Sequence, residues 1–290
     1  MIYYKYFHPD RVDVLENLKI RYTQVSALND PFESLPGLID RDKDWYRQRF
    51  KEVINEEMER QGIKGESKRK QYSRLRKKDF DNFYRCYTDT KYLSQLSEEV
   101  QKMSSTVHGC LSLSGTNKNI LMWSHYAHNH EGFVMGFDGD HDYFGKRVSP
   151  IIYTNVRPFV DPTTSRQSGE LFYTKSKDWE YEQEYRKFES LVPSLPLKNG
   201  HSFLPCSDSD LKKPETKDVF LFDLPKEAVV SVIFGWKSTI ELKKRLINAL
   251  SKKQMDFVRL YQAIPHKTQF EMEIVDSELQ LGLNYDRESY

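Results

Sequence analysis

One octapeptide constrains this chain more than any other stretch: Trp179-Glu180-Tyr181-Glu182-Gln183-Glu184-Tyr185-Arg186. Its period is two. Read as a strand, it sets Trp179, Tyr181, Gln183 and Tyr185 on one face and Glu180, Glu182, Glu184 and Arg186 on the other. The fold therefore has to include a sheet that carries it. Like charges about 7 Å apart along one strand face repel. At least one of these carboxylates needs a raised pKa or a cationic partner, and that is how a chain prepares a carboxyl group for chemistry. The plainer reading is a sheet edge kept soluble by charge.

Alternation and short apolar runs predict further strands at Ile2 to Phe7, Lys19 to Val25, Val107 to Ser114, Phe133 to Phe137, Ile151 to Tyr153, Val219 to Asp223, Val229 to Phe234, Phe257 to Gln262 and Gln269 to Val275. Asp10 is expected to cap a helical turn through Val14, Leu15 and Leu18. Asn117 or Asn119 should start a short helix, Ile120 to His128, that Gly132 ends. Ser238-Thr239-Ile240-Glu241 reads as a capping box opening a helix to about Ser251, with Leu242, Leu246 and Leu250 inward. Asn29-Asp30-Pro31 is a turn, and Pro158 to Gly169 and Pro193 to Glu215 are loops. Between Arg41 and Met103 the chain turns charged and helical in period. One stripe is Trp45, Phe50, Val53, Ile54 and Met58; another is Phe80, Phe83, Tyr84 and Tyr87. The prediction is a single α+β domain over residues 1–290. It has a mixed, mostly antiparallel sheet and a charged helical insertion at 41–103.

Net charge is +1, so nothing global points to nucleic acid or an anionic membrane. No run of 18 apolar residues exists, so no membrane partner is expected, and Met1 to Asp10 does not read as a secretory signal. Cys86, Cys110 and Cys206 suggest reduced thiols in a cytoplasm. One local exception is Arg60 to Lys78, with nine Lys or Arg and one acid, Glu66. It reads either as a solvated helix pair or mobile loop, or as an arm for nucleic-acid phosphates. Few aromatics interleave it, which argues against base stacking.

Two further constellations carry chemistry. In Leu121-Met122-Trp123-Ser124-His125-Tyr126-Ala127-His128-Asn129-His130, three histidines in six residues invite a metal reading. On a helix, however, His130 sits about 180° from His125, so packing or ligand hydrogen bonding is the favoured role and no metal ligand is assigned. A metal-dependent nuclease built on His125, His128 and the acidic strand is the weaker alternative. In Ser112-Leu113-Ser114 the two hydroxyls share a strand face. No Gly-x-Ser-x-Gly elbow, Walker loop or Gly-x-Gly-x-x-Gly is present.

Taken in order, Asn29-Asp30-Pro31-Phe32-Glu33, Ser112-Leu113-Ser114, Leu121 to Tyr126 with His130 and Gly132, and Lys175 with Trp179-x-x-Glu182-x-Glu184-x-Arg186 resemble the domain-of-unknown-function family 2971, a bacterial and phage-associated family of cytosolic proteins. The match runs from Tyr4 to about Ile264. The order of a first strand, a Ser-x-Ser strand and a late Glu-x-Glu strand also resembles the ADP-ribosyltransferase fold. That resemblance implies an NAD-using transferase or NAD glycohydrolase in a toxin or phage-defence setting, with a neutralising or regulatory protein as partner. It implies Glu184 as the catalytic carboxylate, with Glu182 two residues before it. The implied NAD contacts are Tyr4 or Tyr6 on the first strand, Ser112 and Ser114, the aromatic group Trp123, His125 and Tyr126, and Lys175 and Arg186 for the pyrophosphate. The first strand carries Tyr-Lys-Tyr where such enzymes carry Arg or His. A non-catalytic nucleic-acid-binding or sensor module is the alternative from a different class.

Overall fold

The computed structural model describes residues 1–37, 41–74, 77–159, 169–192 and 219–278. The elements in chain order are β1 (Ile2–Phe7), α1 (Asp13–Asn17), β2 (Lys19–Gln24), α2 (Lys43–Arg60), α3 (Gly65–Arg74), α4 (Lys77–Thr88), α5 (Thr90–Val107), β3 (His108–Ser114), α6 (Ile120–Tyr126), β4 (Phe133–Asp138), β5 (Val148–Pro150), β6 (Ile152–Thr154), β7 (Thr174–Ser176), β8 (Glu184–Ser190), β9 (Phe220–Asp223), β10 (Val229–Phe234), α7 (Ile240–Lys252), β11 (Arg259–Pro265) and β12 (Met272–Asp276). The fold is α+β, with a mixed and mostly antiparallel sheet. The expected loop at Pro193 to Glu215 and most of that at Pro158 to Gly169 lie outside the described residues.

The main sheet runs β12-β11-β10-β4-β1-β3-β2-β9, with β8 added on β3 and β5 on β8. Within it β10 and β11 pair in parallel, and β6 and β7 form a separate parallel pair. The important irregularity lies at β3. One of its edges pairs with β8 along its full length, from His108↔Ser190 to Ser114↔Glu184. Its other edge meets β2 at Gly109 and Cys110 and β1 only at Ser114. Between those points β1 and β2 diverge, and the sheet forks.

Core packing follows the strand period. On one face Tyr3 and Phe7 of β1, Ile20 and Tyr22 of β2 and Phe133, Met135 and Phe137 of β4 lie under α1 and α7. On the other face Tyr6, Val134 and Ile233 pack with Met122 and Trp123 of α6. A third cluster joins Val100 of α5 to Cys110 and Phe188. Fully burying side chains of this size contributes about 1.5–3 kcal/mol each.

The helix starts differ from expectation in two places. Asp10 does not cap: His8 Nδ1 accepts from the Asp10 N–H at 3.2 Å, and a 3₁₀ turn over Pro9–Val12 precedes α1. α7 is capped by Thr239, whose Oγ1 accepts from Leu242 N at 3.2 Å. Ser238 is engaged instead with the Gly235 carbonyl at 2.7 Å, so the N-cap moves on by one residue and the expected capping box is corrected: Leu242, not Glu241, stands at the third helical position. Asn119 does cap α6, accepting from Leu121 and Met122.

The insertion consists of α2 to α5. Phe50 meets Phe80 and Phe83, and Tyr46 meets Tyr84, so aromatic contacts tie α2 to α4. In the basic segment Arg60 pairs with Glu57, Lys68 with Glu59 and Lys70 with Glu66. Local acids thus partner three of the nine cations of the expected phosphate arm among the described residues; residues 75–76 lie outside them. No described helix is long and apolar enough to cross a membrane.

Candidate functional site

The fork opens into a cavity of about 270 Å³. Its walls come from β1 (Tyr4, Lys5, Tyr6), β2 (Arg21, Thr23), the turn after β2 (Asn29, Glu33), β3 (Ser112, Ser114), Met122 and Tyr126 of α6, Lys175 of β7, and Glu182, Glu184 and Arg186.

The octapeptide that points here is not one strand. Lys177–Glu182 is a 3₁₀ turn, Gln183 takes a left-handed φ of 46°, and β8 begins only at Glu184. The expected two-faced strand is corrected accordingly: Glu180 is exposed, whereas Glu182 and Glu184 are both buried. The turn swings Glu182 inward, so the two carboxylates converge from different backbone conformations.

Their partners are close. Glu182 Oε1 accepts from the Tyr126 hydroxyl at 2.5 Å, and its Oε2 accepts from Lys175 Nζ at 2.5 Å. Lys175 also donates to Glu184 at 3.2 Å. Glu184 accepts from Arg186 Nε at 2.8 Å and Nη2 at 3.0 Å. Arg186 in turn grips Glu33 through both terminal nitrogens, at 2.6 and 2.7 Å, and donates to the Phe172 carbonyl at 2.8 Å. All five of its N–H groups are then engaged, so Arg186 holds carboxylates and has no donor left for a pyrophosphate. Lys175 lies 4.7 Å from the centre of the Trp179 ring.

Three carboxylates thus share two cations, and the environments of the octapeptide pair push them apart. Burial works to raise the Glu184 pKa, but the Arg186 guanidinium and then Lys175 outweigh it and hold the group at about 2. Burial raises Glu182, and the neighbouring Glu184 charge adds to this against Lys175. Lys175 keeps its proton: burial acts to lower its pKa, but the charges of Glu184 and Glu182 raise it. Because two carboxylates share that ammonium, it stays charged when Glu182 takes up a proton. The pair therefore comprises one carboxylate held in the ionised form and one that takes up a proton more readily, a pattern that separates roles in active sites.

Most of the residues singled out by sequence meet here. Tyr4, Ser114 and Glu184 stand opposite one another on three adjacent strands. Ser112 faces the cavity and its hydroxyl helps to lower the Glu184 pKa. Ser114 Oγ donates to the Glu182 carbonyl at 2.6 Å, which fixes the turn. Tyr6 lines the cavity while its hydroxyl donates to the Thr116 carbonyl. Two of the proposed aromatic contacts lie elsewhere. Trp123 is wholly buried beneath α6, edge-on to Tyr6, with its indole N–H on the Asn117 carbonyl. His125 stands outside the cavity wall, 3.3 Å from the Tyr181 hydroxyl.

The three histidines part company. His128 meets His8 edge-on, and His130 lies parallel to Trp123. His128, Asn129 and His130 all have left-handed φ, so no helical face carries them. Among the described residues no group of three or more potential ligands is placed to hold a metal ion.

Sequence reasoning passed over Glu33, Asn29, Lys5 and Arg21 as site residues. For the first two a signal existed: the turn Asn29-Asp30-Pro31-Phe32-Glu33 stands in the motif series. In the structure Asn29 hydrogen-bonds Tyr126 and Glu33 grips Arg186, so one turn braces both carboxylates. No family model, curated protein or solved structure matches the chain. The class of protein that fold and site define is therefore an α+β protein with a split carboxylate pair in a polar cavity.

Proposed function

We propose that this chain is an NAD-using enzyme of the ADP-ribosyltransferase or NAD-glycohydrolase kind. The observation that carries the reading is the carboxylate pair on one cavity wall, with Glu184 fixed in the ionised form and Glu182 raised toward a working proton acceptor. Cleavage of a glycosidic bond uses a pair of carboxylates around an oxocarbenium-like sugar. The NAD donor itself rests on the resemblance to the ADP-ribosyltransferase strand order. The alignment of Tyr4, Ser114 and Glu184 on adjacent strands supports it.

In this reading the C–N bond between ribose and nicotinamide breaks, and its electron pair stays on the nicotinamide nitrogen. Positive charge builds on the sugar carbon. The three carboxylates carry one negative charge more than Lys175 and Arg186 neutralise, and Arg186 keeps Glu184 from moving as the charge develops. Water or an acceptor hydroxyl then attacks the sugar carbon and passes its proton to Glu182. Tyr126 and Lys175 orient Glu182 for that transfer. A volume of about 270 Å³ is just under the roughly 300–1,000 Å³ of sites that enclose a drug-sized ligand. The cavity thus suits the reacting nicotinamide–ribose half of a dinucleotide, with the other half toward the mouth.

The test is free nicotinamide, measured by NMR after incubation with NAD, with and without DNA or RNA. Release should fall by about 10²-fold or more in Glu182→Gln and in Glu184→Gln, with folding checked by circular dichroism. Release that persists unchanged in both folded variants, or that the native protein never shows, would overturn the assignment.

A further inference from the structure

Four cations line the cavity, and they fall into two kinds. Lys175 and Arg186 are engaged by Glu33, Glu182 and Glu184. Lys5 and Arg21 are not. Lys5 Nζ donates to the Ser112 carbonyl at 2.9 Å and forms no ion pair among the described residues. The Arg21 guanidinium has neither ion pair nor hydrogen bond there, and its Nε is buried without a partner. A half-buried guanidinium that lines a cavity, has no protein acceptor among the described residues and keeps its Nε out of solvent is set up for an acceptor that arrives with a ligand.

The placement is just as specific. Lys5 lies on β1 and Arg21 on β2, the two arms of the fork on one edge of β3. Glu184 and Arg186 come from β8 on the opposite edge. Two strand spacings, roughly 10 Å, separate the strands that carry them. The cavity therefore has an acidic side and a basic side, and a ligand that fills it should be positive at one end and negative at the other. Burial also pulls the Lys5 pKa down to about 8, and an anion beside it would push it back up.

We infer that Lys5 and Arg21 form an anion subsite that takes a phosphate or phosphoanhydride group of the ligand whose sugar meets Glu182 and Glu184. The identity of that sugar rests on the glycosyl-transfer reading above; the anion subsite does not. Arg21 supplies the planar fork that matches phosphate oxygens, and Lys5 supplies a point charge on the neighbouring strand. The substrate class that follows is a phosphorylated riboside, in preference to the free nucleoside or its base.

Calorimetric titration of the full chain with inorganic pyrophosphate, ADP-ribose and adenosine tests the subsite directly. The native protein should bind ADP-ribose at least tenfold more tightly than adenosine, and binding of both ADP-ribose and pyrophosphate should weaken as salt rises. Arg21→Gln should cost the two phosphorylated ligands tenfold or more and leave adenosine unchanged. Since that side chain makes no hydrogen bond or ion pair among the described residues, the variant should fold. Lys5→Met provides the second, independent readout in the same direction. Equal affinity for ADP-ribose and adenosine, or undiminished phosphate binding in both variants, would overturn the proposal. The two readings fail separately. Arg21-dependent phosphate binding without NAD cleavage would leave the subsite standing and remove the glycosyl-transfer chemistry. NAD cleavage with an unchanged KM in Arg21→Gln would do the reverse.

Discussion

The helical insertion and the forked sheet are both rich in charge, and they use it in opposite ways. On the surface of α2 and α3 most partners are neighbours in sequence and stand in water. Arg60 reaches back to Glu57, Arg47 to Asp44 and Lys70 to Glu66, one helical turn apart. Pairs of that kind contribute about 0–1 kcal/mol each. In the fork, Glu33 and Arg186 are 153 positions apart in the chain and almost wholly buried. Only the tertiary fold brings them together, and each is costly if left alone. Charge density along the sequence therefore marks the solvated surface of this molecule, whereas sparse charges set among aromatics mark its site. The insertion still serves the site, but through α5: Gln101 donates to the Glu33 carbonyl at 2.6 Å and Ser97 to the Pro36 carbonyl at 3.1 Å. Both bonds steady the turn that carries Glu33.

The contrast can be broken most sharply at Arg186. Arg186→Met leaves Glu33 and Glu184 buried without their shared cation, and denaturant unfolding should show a loss of about 3–5 kcal/mol. A loss below 1 kcal/mol would put the fork's network in the same class as the surface pairs. Acid should expose the same network next. The folded pKa of Glu184 lies at about 2, below its unfolded value near 4.5. Its contribution is therefore complete above that value and disappears as pH falls toward about 2. The shift is worth about 3 kcal/mol by linkage, and Glu184→Gln should flatten that part of the stability profile. A smaller effect is expected at the junction of the two regions. Gln101→Ala removes one hydrogen bond to the Glu33 turn, at about 1 kcal/mol, and turnover should fall with it. The smallest belongs to the insertion surface: Lys70→Ala should shift stability by no more than about 0.5 kcal/mol.

Much of the site was readable from local pattern because its strands are regular. β3 announces itself by alternation, and the hydroxyls of Ser112 and Ser114 fall on the face that alternation assigns; of the expected 179–186 strand only Glu184 to Arg186 belongs to β8. The Asn119 cap was equally legible, because a cap bonds to its own neighbours. The errors come where a local pattern has two solutions. Eight residues of period two fit a strand, but Gln183 adopts a left-handed conformation and the first half closes into a 3₁₀ turn. On α6 the helical wheel groups Trp123 with Tyr126, yet only the position of the sheet decides that Trp123 goes under and Tyr126 goes to the cavity. Lys5 and Arg21 were hidden for a further reason. Lys5 is the one cation of β1 and Arg21 one of two in β2, and what makes them special is the divergence of β1 from β2, a long-range pairing that no local pattern encodes.

The most direct measurement is the titration of the two carboxyl groups themselves, by ¹³C NMR on protein labelled at the glutamate side chains and assigned with Glu182→Gln and Glu184→Gln. The account predicts that the carboxyls titrate apart: at pH 4 Glu184 should still be ionised while Glu182 is largely protonated. Two carboxyls that titrate together near 4.5 would contradict it, because the chemistry assigned to this cavity depends on their being different.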